Sequence, residues 1–172
     1  FDPALRLDHL GQALRNVWIG NSFQMLLDRR VELRPGLFPY SMLYPVTDNL
    51  LDDPTVPGEA KRQFNERLGR RLSGYPADTG GLHDAAAGAL VAQIEGEFPR
   101  SRCAVVYDSL LAIHHGQERS LAQHGGVQLA DAELLDITIR KGGSSVLADL
   151  YLVAEAPPAA LERFAFGYGV FL

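Results

Sequence analysis

Apolar residues in this chain recur at three- and four-residue spacing, and that periodicity constrains its fold more than any other feature of the sequence. Alternation of β-branched and aromatic residues with period two, bounded by turns, does not recur, so an all-α fold is expected. Leu5, Leu7, Leu10, Leu14 and Val17-Trp18 suit a first helix, and Phe23, Met25, Leu26, Leu27 and Val31 suit a second, ended by Pro35-Gly36. A third is expected from Tyr40 to Asp53, with Pro45 as a kink or an early turn and Pro54 as its terminator. A charged helix from Glu59 to Leu72 and an alanine-rich helix from His83 to Phe98 follow, separated by Ser73-Gly74-Tyr75-Pro76 and the loop Ala77 to Gly81. The remaining pattern predicts helices over Arg102 to His124, Leu129 to Lys141, Ser144 to Ala154 and from Pro158 onward, with breaks at Gly125-Gly126, Gly142-Gly143 and Pro157. About eight helices with short connections exceed a four-helix bundle, and no repeated period suggests a solenoid.

A length of 172 residues suits one domain, and 47% hydrophobic residues are ample for its core. The net charge of -5 argues against a general affinity for nucleic-acid backbones or anionic membranes, so an anionic ligand would have to be held locally or through a metal. The single cysteine, Cys103, rules out an internal disulfide and a multi-thiolate zinc site, which makes a reducing cytoplasm the simplest location. The stretch from Val146 to Ala154 is interrupted by Asp149 and is far shorter than the roughly 20 residues of a membrane-spanning helix, so no integral span is expected. The chain begins at Phe1 without a methionine and stops inside an apolar segment at Phe171-Leu172, which leads us to expect more sequence past Leu172.

The sequence Asp48-Asn49-Leu50-Leu51-Asp52-Asp53 concentrates the chemistry. On a helix Asp48 and Asp52 share a face one turn apart, while Asp53 sits roughly 100° round from Asp52. Three carboxylates at a helix C-terminus repel the dipole and one another, and no lysine or arginine lies between Pro35 and Ala60. Such a group either ends as a solvated helix terminus neutralised by distant residues or binds a hard cation such as Mg2+, which keeps waters and bridges to phosphate oxygens.

The context of the cluster, Phe38-Pro-Tyr-Ser-Met-Leu-Tyr-Pro-Val-Thr-Asp-Asn-Leu-Leu-Asp-Asp, resembles the first aspartate-rich helix of class I isoprenoid synthases, in the Asp-x-x-x-Asp form of the squalene and phytoene synthase branch. Ile137-Thr-Ile-Arg-Lys-Gly-Gly-Ser-Ser-Val-Leu-Ala-Asp149 resembles the Lys-Thr-Gly/Ala-x-Leu segment of trans-prenyl diphosphate synthases, and Phe164-Ala-Phe-Gly-Tyr-Gly-Val-Phe-Leu172 looks like the small-residue helix leading to their second aspartate-rich motif. The three stand in the family's order over residues 38–172. The resemblance implies a terpenoid-synthase-like bundle around a central cavity, binding and ionising a prenyl diphosphate with magnesium. It makes Asp48 and Asp52 catalytic metal ligands, Asp53 a third or supporting ligand, and Lys141 a diphosphate contact. Arginines follow the first acidic motif in that family, which brings in Arg70 and Arg71, although a solvated helix face suits them as well. The second acidic motif would fall beyond Leu172. A prenyltransferase or terpene-synthase-type enzyme is therefore expected, and a non-catalytic helical protein of the same fold is the alternative; a homodimer stays open.

Three other features carry bland readings. Gly142-Gly143 after Lys141 suits a helix stop or a kink. His114 and Glu118 share a helix face, but the chain contains no Glu-x-x-His pair of a di-metal bundle. Gly167-Tyr168-Gly169 follows no strand, and close helix packing explains it better than a dinucleotide loop.

Overall fold

The computed structural model describes residues 7–78, 80–124 and 130–172, and side chains from residue 10 onward except 121–129. Among them are seven α-helices and no strand, as the apolar spacing predicts. The helices are α1 (Leu7–Leu26), α2 (Leu37–Asp52), α3 (Gly58–Leu72), α4 (Leu82–Glu97), α5 (Ala104–His124), α6 (Asp131–Val153) and α7 (Ala159–Val170). No helix among the described residues is long and apolar enough to cross a membrane. Leu5, Thr79, the Gly125-Gly126 break and the expected helix start at Leu129 lie outside the described residues.

Contacts divide the chain into two compact units, Phe1–Arg102 and Cys103–Leu172. In the first, α2 packs against α1 and α4, and α3 packs against α4. The helix α2 is buried on most of its circumference, with Leu37, Tyr40, Met42, Leu43, Val46 and Leu51 all in the core. With most of its side chains buried, α2 packs on both α1 and α4 and carries the acidic cluster at its C-terminal end.

The two helices expected before Pro35 form a single one. Ala13, Asn16, Phe23 and Gln24 are buried at helical spacing along α1, so the apolar pattern runs through with no break. Its end is a Schellman turn: Arg29 N–H donates to the Gln24 carbonyl at 2.8 Å and Asp28 N–H to that of Met25 at 3.0 Å, with Asp28 in left-handed geometry at φ 52°. Gln24 then holds the returning chain, its side-chain amide pairing with both the N–H and the carbonyl of Glu32.

The expected ends of α2 and α3 are found. Asp53 is extended ahead of Pro54, and α3 closes with Gly74 at φ 84°, where Tyr75 N–H donates to the Arg70 carbonyl and Gly74 N–H to that of Arg71. Arg100 finishes that end, donating to the carbonyls of Arg71 and Leu72. Glu95 accepts from Arg71 at 2.6 Å and from Arg100 at 2.8 Å.

In the second unit α6 packs against both α5 and α7. The break expected at Gly142-Gly143 does not occur, because α6 continues through both glycines to Val153. Their missing side chains serve packing: a Cβ on Gly142 would collide with the backbone carbonyl of Gly169, and one on Gly143 with the Phe166 ring. Close packing is thus the role of Gly169 as expected, whereas Gly167 meets nothing within 4 Å. Tyr151 on α6 donates to Glu162 on α7 at 3.1 Å, a polar tie between the same two helices.

Candidate functional site

Asp48 and Asp52 stand one turn apart at the C-terminal end of α2, as the spacing requires. Asp48 is half-buried, with one carboxylate oxygen hidden from solvent, and Asp52 is exposed. No basic residue occupies the last turn of α2. Asp52 takes part in no hydrogen bond or ion pair with the described residues, so its charge is left to solvent or to a ligand.

Asp53 has a different task. Its Oδ1 accepts from Thr55 N at 2.8 Å and from Thr55 Oγ1 at 2.6 Å, an Asx-type turn that starts the loop toward α3. The Thr55 hydrogen bonds, with Lys61 and His83 nearby, hold its carboxyl below the usual aspartate range. Asp53 is thus committed to the Thr55 turn, whereas Asp48 and Asp52 share one face of the helix end.

The same helix presents a hidden polar row that composition does not reveal. Ser41 is buried, and its hydroxyl finds no hydrogen-bond partner among the described residues; one turn on, Pro45 lacks the N–H that the Ser41 carbonyl would accept from in a regular helix. Tyr44 and Asp48 continue this side of α2, and Asn49 beside them hides an amide nitrogen that likewise meets no acceptor among the described residues. Buried polar atoms left this way are costly, by about 1–3 kcal/mol each, and they mark places where water or a ligand completes the set. The spacing Ser41, Tyr44, Asp48 follows helical periodicity and could have been read as one polar face.

The other expected contacts lie on other helices. Arg71 is held by Glu95, and Arg70 reaches the Pro76 carbonyl at 3.4 Å. Both belong to the architecture of the α3 end, and only Arg70 is turned mainly to solvent. Lys141 belongs to the second unit, in the middle of α6 and not at a helix end, with its Cβ close to the α5 backbone at Gly116. On α5, His114 and Gln117 form a second buried polar pair, and His114 Nδ1 and Gln117 Nε2 meet no partner among the described residues. Burial, and secondarily the neighbouring His115, pushes the His114 pKa down to about 4, so its ring is neutral at ordinary pH. Its Nε2 lies 3.6 Å from Glu118, too far for a firm hydrogen bond.

Among the described residues no group of three His, Cys, Asp or Glu side chains converges as a metal cage. A pair of carboxylates remains, and a pair is a fitting share for magnesium, which is commonly bound by one or two carboxylates and completed by water and phosphate oxygens. Compared with protein-family models, curated proteins and solved structures, the chain matches none.

Proposed function

We propose that this chain handles an isoprenoid diphosphate in the manner of a class I prenyltransferase or terpene synthase, with Asp48 and Asp52 as its share of a magnesium site. The observation that carries the reading is the end of α2: two carboxylates one turn apart, no basic residue in that turn, and a row of hidden polar atoms leading up to them. The all-helical architecture and the order of the three resembling segments support it. Magnesium bound there would neutralise the charge of a departing diphosphate. Asp48 and Asp52 would hold the cation, Asp53 would fix the loop beside them through Thr55, and the apolar lining of a cavity would keep water from a carbocation. Lys141 and Arg70 remain proposed as diphosphate contacts, and Arg71 would have to leave Glu95 to join them.

The lack of a three-acid cage among the described residues favours one second reading, a non-catalytic protein of the same fold that binds a diphosphate or a partner without turnover. Diphosphate release from farnesyl or geranylgeranyl diphosphate, measured with and without magnesium, separates the two. Magnesium-dependent release that Asp48→Asn abolishes is the expected result. Absence of release, together with unchanged thermal stability in magnesium plus pyrophosphate, would remove both the enzyme and the metal site.

A further inference from the structure

The second unit carries a groove of about 610 Å³ along α5, α6 and α7, well away in sequence from the acidic cluster. Its volume falls within the roughly 300–1,000 Å³ typical of small-molecule sites. Arg119 of α5 and Arg140 of α6 stand on its rim, and both bind one carboxylate, Asp136: Arg119 Nη1 lies 3.2 Å and Arg140 Nε 3.0 Å from the same Oδ2. The two guanidiniums, with Asp136 between them, hold that carboxyl below its usual range.

This arrangement orients the cations without exhausting them. Arg140 spends only its Nε on Asp136, so the outward fork of Nη1 and Nη2 has no partner among the described residues. The exposed ring of His115 also lines the groove, while Ile137 and Phe166 supply an apolar wall. Glu133 is 3.9 Å from Arg119 at one end of the rim. Asp136 and Glu133 match the two cations in number, so what the rim offers is the Arg140 fork: a guanidinium fixed through Nε presents Nη1 and Nη2 for planar, two-point recognition of an oxyanion. Several donors converging from two helices suit the three oxygens of a phosphate monoester better than the two of a carboxylate.

We propose that this groove binds a phosphate monoester with a short apolar body, the phosphate on Arg140 and Arg119 and the body against Ile137 and Phe166. The site stands apart from the magnesium reading and needs no metal. Calorimetric titration of the chain with phenyl phosphate, inorganic phosphate and benzoate in magnesium-free buffer tests it, with the arginine Nε–H resonances followed in parallel. Phenyl phosphate is expected to bind, to shift the Arg140 and Arg119 signals, and to bind more tightly than inorganic phosphate. Arg140→Gln and Arg119→Gln should each weaken it by about tenfold or more. Arg140 is 68% exposed, so its replacement leaves the fold intact, which an unchanged unfolding midpoint would show. Asp48→Asn should leave this binding unaltered, which keeps the outcome separate from that of the acidic cluster. No binding of phenyl phosphate, equal binding to the Arg140→Gln and wild-type chains, or benzoate binding as tightly as phenyl phosphate would overturn the proposal.

Discussion

Gly142 and Gly169 face each other across the α6–α7 crossing so closely that a Cβ on either would fall on the other's carbonyl group. Neither neighbour is a flexible side chain that could swing aside. Gly142→Ala and Gly169→Ala are therefore expected to cost about 1–3 kcal/mol through overpacking. Gly167→Ala, on the same helix with nothing within 4 Å, should be neutral or stabilising by up to about 1 kcal/mol. Urea unfolding of the three variants checks the contrast, and equal effects would contradict the crossing.

Arg100 offers a test of the α3 terminus. Its guanidinium donates to the carbonyls of Arg71 and Leu72 and pairs with Glu95, all partly buried. Arg100→Ala removes these bonds together and should destabilise the protein by about 1–3 kcal/mol, whereas Arg62→Ala, an exposed i,i+3 pair with Glu59, should change it by less than about 0.5 kcal/mol. Thermal unfolding midpoints distinguish them.

His114 links stability to pH. Its pKa falls from 6.5 to about 4 on folding, so the unfolded chain takes up the proton first. The associated stability is present above pH 6.5 and is lost as pH falls from 6.5 toward 4, reaching roughly 2–3 kcal/mol at the lower end. Carboxylates begin to titrate at the acid end of that window, so the measurement is a comparison: His114→Asn should show a shallower decline in stability over it than the wild type.

Asp53 and Asp52 should respond differently to substitution. Thr55→Val removes the hydroxyl bond to Asp53 and should raise its carboxyl toward the ordinary aspartate value, as read by NMR titration. Under the magnesium reading, Asp48→Asn and Asp52→Asn should abolish stabilisation by magnesium plus pyrophosphate, while Asp53→Asn retains most of it. A uniform loss across the three would return Asp53 to the metal.

How much was legible depended on how local the physics was. The all-α class, the end of α2 at Pro54 and the spans of α3, α4 and α7 follow from apolar periodicity and from proline and glycine, which act through the backbone next to them. The pairing of Asp48 with Asp52 on one face is equally local, since helical geometry alone decides it. The tertiary structure decided what neighbours do. Gly142-Gly143 looks like a stop until α7 is packed on it, and only then is the missing Cβ worth more as space than as a break. Arg71 is a free cation in the sequence and a partner of Glu95 in the fold, 24 residues away. Asp136 gathers Arg119 from 17 residues upstream, a convergence no spacing rule announces. Sequence alone determines which residues share a helix face; which of those faces is spent on packing, on an ion pair or on a ligand depends on what the rest of the chain brings against it.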